Sequence, residues 1–193
     1  MYGLSGEQLL WDAVRNSDVK GLEALYKQYN EALYSYGKKF TGDTHLVEDA
    51  VQETFISIWK YRERLSVTSM FNLYIFKSFR NHLFRLIKEQ QNIAYQEDDL
   101  SFSFELGFDA RFIEGEEAAM LSAQIRQALS RLTSRQREII WFRFFEGRSF
   151  EEIAEIMDMQ VRATYKLSAR ALASLKEIME GPALLLLLSF LKN

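Results

Sequence analysis

Residues 149–179 constrain the fold more than any other part of the chain, because a helix start, a turn and a second helix are each specified there. Ser149 and Glu152 have the spacing of a capping box, in which the hydroxyl and the carboxylate each satisfy a backbone N–H at the helix start. Phe150, Ile153, Ala154 and Met157 then recur at i, i+3, i+4 and i+7, which puts all four on one inward face. Asp158 falls where a tight helix-to-helix turn needs a left-handed residue, and Asp is one of the few non-glycines that tolerate it. In the next helix Val161, Leu167, Ser168, Ala171, Leu172, Leu175 and Ile178 form an apolar stripe of helical period.

The outer face of that second helix suggests its use. Arg162, Lys166 and Arg170 are spaced four apart and stack on one side, and no Asp or Glu occurs between residues 159 and 175. A helical hairpin with a solvated basic face would give the same charge run. Cap, turn length, buried pattern and one-sided charge together favour a helix-turn-helix, whose second helix enters a major groove while cations hold the phosphate backbone.

The rest of the chain has few helix breakers, one Pro and nine Gly in 193 residues, and its apolar spacing is helical nearly throughout. An all-α fold is expected, with 48% hydrophobic and 26% charged residues, enough for one or two small cores. Cysteine is absent, which excludes disulfides, a cysteine nucleophile and cysteine metal ligands, and fits a reducing cytosol. With only His45 and His82 available, neither a metal cluster nor a catalytic one is expected, and no cofactor. The beginning of the sequence lacks a signal-peptide pattern, and no apolar run reaches the roughly 18 residues of a membrane helix, so a cytoplasmic location is expected.

The formal net charge of −3 becomes informative when divided along the chain. A first helix, opened by Ser5 and Gln8, turns Leu9, Leu10, Ala13 and Val14 inward; a second carries Leu22, Leu25, Tyr26, Tyr29, Leu33, Tyr36 and Phe40 and is expected to stop at Gly42, its tyrosines in the core. From Thr44 a third helix buries Val47, Val51, Thr54, Phe55 and Ile58 and projects Glu48, Asp49, Gln52 and Glu53 outward. Acids near a helix start favour its dipole, but Gln52 and Glu53 lie too far in for that explanation. Between residues 60 and 88 the sign reverses: Lys60, Arg62, Arg64, Lys77, Arg80, Arg85 and Lys88 stand against Glu63 alone. Phe71, Tyr74, Phe76, Phe79 and Phe84 are interleaved with these cations; some must be core, and the combination also suits single-stranded nucleic acid, which offers bases to stack and phosphates to pair. The polar loop at residues 64–69, including Arg64, Ser66 and Ser69, is placed to read a base.

Residues 89–117 hold nine acids and one base, Arg111, with no clear period, and read as an acidic inter-domain linker with aromatic anchors Phe102, Phe104, Phe108 and Phe112. Helices return with Leu121, Ile125, Ala128 and Leu132, and again after the Thr133–Gln136 cap with Ile139, Ile140, Phe142, Phe144 and Phe145 inward, Trp141 at the edge and Gly147 closing. With the helix-turn-helix these make a four-helix C-terminal module, followed by a leucine-rich tail that packs on the protein or a partner. The expected division is 1–88, 89–117, 118–180 and 181–193, two small helical domains joined by the linker.

Asp-Ala-Val-Gln-Glu-Thr-Phe (49–55), Tyr-Ile-Phe-Lys-Ser-Phe-Arg-Asn (74–81), and Leu-Thr-Ser-Arg-Gln-Arg-Glu (132–138) followed by Phe-Glu-Gly-Arg-Ser-Phe-Glu-Glu-Ile-Ala (145–154) resemble the extracytoplasmic-function group of bacterial sigma factors. The resemblance covers all but the linker and the tail. It implies a first domain (region two) and a last domain (region four) that dock on core RNA polymerase and recognise two promoter elements. By motif, Asp49, Gln52 and Glu53 would meet the polymerase clamp. Arg64, Ser66, Ser69, Lys77, Arg80 and Asn81 would melt and read the minus-ten element; Arg162, Ala163, Tyr165, Lys166 and Arg170 would read the minus-thirty-five element. The linker would thread the channel that RNA later occupies. Such proteins commonly serve stress or envelope signals and are held, sometimes at the inner membrane face, by an anti-sigma factor. The sequence departs from the family pattern at Leu132-Thr133 where Leu-Pro is usual, at Asp158 where Gly is usual, and at Arg162-Ala163-Thr164-Tyr165. The alternative is a helix-turn-helix regulator that binds a palindromic duplex without polymerase. An enzyme is not expected, since no nucleophile–base pair, metal cluster or phosphate loop is present.

Overall fold

The computed structural model describes residues 6–65, 70–91, 100–103 and 116–179, and every regular element among them is helical. The chain divides into two compact units, Met1–Tyr95 and Gln96–Asn193. The first unit packs α1 (Gly6–Arg15), α2 (Val19–Gly37), α3 (Thr44–Tyr61) and α4 (Phe71–Gln91), with a 3-10 turn at Arg62–Arg64. Asp18 and Asp43 open α2 and α3, their carboxylates accepting from the backbone N–H of Lys20 and of His45 and Leu46. All four helices feed one core: Trp11 and Val14, Leu25, Leu33 and Tyr36, Val47, Ala50 and Ile58, and Phe71, Ile75, Phe79 and Leu83. Trp11 of α1 stacks on Phe71 of α4 with ring centroids 5.2 Å apart.

Two expectations for this unit are corrected. Helix α2 ends at Gly37 rather than Gly42, because Phe40 leaves the helix to pack edge-on against Phe84 at 4.9 Å. Gly37 is instead a point of contact between helices, since a Cβ there would lie 2.7 Å from Val47 Cγ1 and 2.8 Å from Phe79 Cζ. Gly37→Ala is therefore expected to destabilise this unit by about 1–3 kcal/mol, the cost of overpacking a full core, read as a lower urea midpoint at unchanged slope. The second correction concerns α4, whose phenylalanines Phe71, Phe76, Phe79 and Phe84 are all buried, leaving Tyr74 half-buried against Trp11. Helix α4 thus keeps these phenylalanines in the core, and its exposed and half-buried polar residues are what remain on the surface to meet nucleic acid.

The second unit packs α5 (Glu116–Ser130), α6 (Ser134–Phe144), α7 (Phe150–Ile156) and α8 (Val161–Ile178). Both capping boxes form, Thr133 with Gln136 and Ser149 with Glu152. Asp158 takes φ 51°, and the N–H of Met159 reaches the carbonyl of Ala154 at 2.8 Å, so the turn closes α7 as a Schellman motif with Asp in the usual glycine place. Ile125, Ala128, Leu129, Leu132, Ile140, Ala171, Leu175 and Met179 form a core with Phe144 and Leu172 half-buried on it. Val161 was expected inward but is exposed; Thr164 takes the inward place, its hydroxyl donating to the Gln160 carbonyl at 3.1 Å. Phe145 is likewise exposed, while Trp141 is buried rather than at the edge.

Within the stretch read as linker, residues 89–91 belong to α4, and Leu100 and Phe102 are buried in the second unit. Phe102 lies 6.0 Å from the Trp141 ring and donates its N–H to Ser134 Oγ, and its carbonyl accepts from Arg137 Nε. Arg137 also donates to the carbonyl of Leu132 and, at 3.3 Å, of Leu129, so one guanidinium ties residue 102 to the end of α5. Burial pulls this guanidinium below the ordinary arginine pKa. Phe104, Phe108, Phe112, Ser5, Ser66, Ser69 and the leucine-rich tail lie outside the described residues.

Candidate nucleic-acid and protein interfaces

The basic face of the second unit is built by α8. Helical spacing sets Arg162, Lys166 and Arg170 in a row, and all three are exposed, as are Ala163 and Tyr165. Helices α6 and α7 close their first turns with side chains, but α8 starts at Gln160 with no side-chain cap, and only from Ala163 onward do its N–H groups bond back to the Gln160 carbonyl. An open groove of about 480 Å³ runs beside the row, lined by Lys166, Arg170, Ala163 and Met159 on one side and by Thr133, Arg135 and Gln136 on the other. Arg135, which spacing along α8 could not reveal, thereby joins the basic face from the start of α6. A positive groove with a helix N-terminus at its edge suits a phosphate backbone.

The basic stretch of the first unit is much less basic in space than in sequence. Arg62 donates to Ser17 Oγ at 2.9 Å and to the Trp59 carbonyl at 2.7 Å, and lies over the Trp59 ring, so it fastens the 3-10 turn to the α1–α2 corner. Arg85 is held between Glu53 and Glu89, whose hydrogen bonds raise its pKa, Glu89 contributing more. Arg80 is only 1% exposed, its guanidinium 4.1 Å from the centre of the Phe84 ring. Its assignment as a DNA contact is withdrawn, since a side chain packed in the core cannot meet a phosphate without unpacking. Arg64 and Asn81 are exposed and Lys77 half-buried; Lys77 and Asn81 stand one turn apart on α4.

The outward face of α3 carries Asp49 and Gln52, both exposed, with Glu53 at its edge toward Arg85. Between them lies Ile56, 64% exposed and one turn from Gln52. Sequence reading passed it over, although an Ile out of phase with the inward stripe Val51, Phe55 and Ile58 is a visible signal. Beside this face a groove of about 380 Å³ is lined by Tyr26, Asn30 and Tyr34 of α2 and Glu48, Val51 and Gln52 of α3. The α2 tyrosines therefore divide: Tyr29 and Tyr36 are core, whereas Tyr26 and Tyr34 line a surface groove. His82 makes no part of any of these surfaces. Its Nδ1 is 3.1 Å from Thr54 Oγ, and burial holds its pKa below the ordinary value.

Residues 25–93 match the family model Sigma-70 region 2, and residues 122–175 match Sigma-70, region 4. The chain is 28% identical to the RNA polymerase sigma factor NccH of Alcaligenes xylosoxydans xylosoxydans, over 92% of this chain and 96% of that one. It is 26% identical to the RNA polymerase sigma-H factor of Pseudomonas aeruginosa (80% and 84%) and 29% identical to the ECF RNA polymerase sigma-E factor of Escherichia coli (80% and 84%). In fold it is similar to CnrH, solved in complex with the cytosolic domain of CnrY, with a TM-score of 0.60 at 21% identity over 89% of this chain and 96% of that one. It is similar also to RpoE of Bartonella quintana, solved with the anti-sigma factor NepR, with a TM-score of 0.56 at 19% identity over 82% and 96%.

Proposed function

Because the chain belongs to the sigma-70 family, with region 2 in its first unit and region 4 in its second, we propose that it directs core RNA polymerase to promoters as a sigma factor of the extracytoplasmic-function kind. Residues 1–88 bind the polymerase and open the minus-ten element, residues 118–180 read the minus-thirty-five element as duplex, and the acidic residues 89–117 follow the channel that RNA later takes. The polymerase meets the α3 face of Asp49, Gln52, Ile56 and the Glu53 edge. The minus-ten element meets Arg64, Ser66, Ser69, Lys77 and Asn81. The observation that carries this reading is that one chain holds both a basic recognition helix with an uncapped start and, on a separate unit, an exposed Ile56 one turn from Gln52 and Glu53. The first alone would serve a free regulator; the second adds a face for a protein partner. Adding the protein to core polymerase on promoter DNA should yield specific initiation; unaided binding to a palindromic duplex, with no effect on polymerase, would favour the regulator instead.

The solved relatives in complex with CnrY and NepR support a protein partner of the anti-sigma kind. The regulon would then answer a stress or envelope signal. No helix among the described residues is long and apolar enough to cross a membrane, which fits a cytoplasmic protein held at the inner membrane face only through such a partner. In this role the chain contributes recognition and positioning, and the polymerase carries out the chemistry.

On α8 the roles of positioning and reading separate by depth. Arg162 sits at the N-terminal end that enters the groove and can pair with both acceptors of a guanine, a contact worth about 1–3 kcal/mol of discrimination. Arg170 lies two turns further on, beside Arg135 in the groove, and reaches phosphate. Arg162→Ala holoenzyme is expected to relax preference at one position of the upstream element. Arg170→Ala is expected to weaken every sequence alike and to lower the salt slope by about one unit. Identical profiles from a randomised promoter library would refute the division.

A further inference from the structure

We infer that Tyr165 reads a thymine methyl in the upstream promoter element, and that Phe150 and Arg143 hold its ring in the reading position. The inference rests on α8 being the promoter-reading helix. Its own ground is a column of three side chains, one each from α6, α7 and α8. The rings of Tyr165 in α8 and Phe150 in α7 have centroids 4.1 Å apart at 40°, closer than most aromatic pairs. Arg143 of α6 lies over the Phe150 ring at 5.0 Å, and its Nη1 donates to the Arg148 carbonyl at 2.9 Å, which fixes the base of the column. Tyr165 is nonetheless 49% exposed as a residue.

A tyrosine held this way differs from a surface tyrosine in two respects. One part of its ring is covered by Phe150, so its side-chain freedom is largely lost before any ligand arrives and little more is lost on binding. Tyr165 is exposed on α8 one turn after Arg162, which is exposed as well, so the row of cations that meets phosphate brings the ring to DNA. Of the groups that base pairs present in the major groove, only the C5 methyl of thymine offers an apolar contact. A rigid apolar ring at that depth matches it, whereas a hydrogen-bonding code would have been served by the Asn or Gln that this position does not carry.

The test uses holoenzyme reconstituted with bacterial core polymerase and the upstream element that it selects from a random library. Each thymine of that element is replaced in turn by deoxyuridine, which removes the methyl and nothing else. Wild-type binding should fall by about fourfold at one thymine, the value of one buried methyl group. That ratio should fall to about one in Tyr165→Ala and in Phe150→Leu, and should persist in Tyr165→Phe, which keeps the ring. Tyr165 is half in solvent, so Tyr165→Ala leaves the fold in place, and equal thermal midpoints would confirm it. A methyl effect that survives Tyr165→Ala, or that no thymine shows, overturns the inference while leaving promoter reading intact. A uniform loss of affinity in Tyr165→Ala with the methyl ratio unchanged would make the residue a backbone contact and overturns it as well. Loss of the ratio in Tyr165→Ala but not in Phe150→Leu overturns the positioning half. A wild-type holoenzyme that selects no upstream sequence would remove the reading of α8 itself.

Discussion

Asp49→Lys combined with Ile56→Glu is expected to abolish capture by core polymerase, with an affinity loss on the order of 100-fold or more and no loss of helical signal. Both residues are exposed on α3, so neither substitution opens a large cavity or strands a buried charge. Ile56 has the features of a binding anchor: it is large, apolar, 64% exposed and surrounded by polar neighbours that would exclude water once covered. Truncating such an anchor costs about 2 kcal/mol or more, and placing like charges together at an interface costs several more. Glu53 is the less informative target. It already neutralises Arg85, so Glu53→Lys would set two cations side by side within the unit and mix a folding defect with a binding one. Pull-down of the double variant against wild type measures the effect, and undiminished holoenzyme would show that this face is not the docking surface.

Arg137→Ala is expected to lower the stability of the second unit by about 3 kcal/mol or more, since hydrogen bonds from a charged donor contribute roughly 1.5–3 kcal/mol each and at least two strong ones are lost. The Arg137 guanidinium serves the carbonyls of Phe102 and Leu132 through separate nitrogens, with the Leu129 carbonyl at longer range. Lysine cannot replace it, because a point charge on a flexible stem cannot span partners that a planar fork meets together. Arg137→Lys should therefore recover only a minor part of the loss. Thermal unfolding of the full chain, followed by calorimetry, reads the change; an unaltered midpoint would mean that Phe102 is held by its ring alone. Amide exchange at Phe102, whose N–H is bonded to Ser134 Oγ, should quicken in the variant.

The helix-turn-helix was legible because each of its parts is specified locally. Capping boxes need residues three apart, the turn needs one tolerant residue, and a helix's inward stripe repeats with its own period; Ser149, Glu152 and Asp158 meet these demands without help from distant chain. The row Arg162, Lys166, Arg170 was legible for the same reason, since neighbours one turn apart on a helix share a face whatever else packs nearby. The errors lie where a residue's role depends on what the chain brings against it. Arg80, Arg85 and Arg62 look alike in sequence to Arg64, yet one is packed over Phe84, one is held by Glu53 and Glu89, and one is tied to Ser17. The end of α2 was misplaced because Gly42 has the right residue type, while the close approach of Val47 and Phe79 at Gly37 is a fact of packing.

The sequence by itself determined that this chain is helical, that its last module is a helix-turn-helix with a basic outer face, and that it resembles the sigma family through ordered motifs. Tertiary structure alone decided which charges reach solvent, that the α4 phenylalanines are core, that Phe102 belongs to the second unit, and that Tyr165 packs on Phe150. The physical reason is range. Capping, turn chemistry and helical period act over three or four residues and are written in neighbouring letters. Burial and ion pairing join residues as far apart as Glu53 and Arg85 or Phe102 and Arg137, and exist only once the helices have packed.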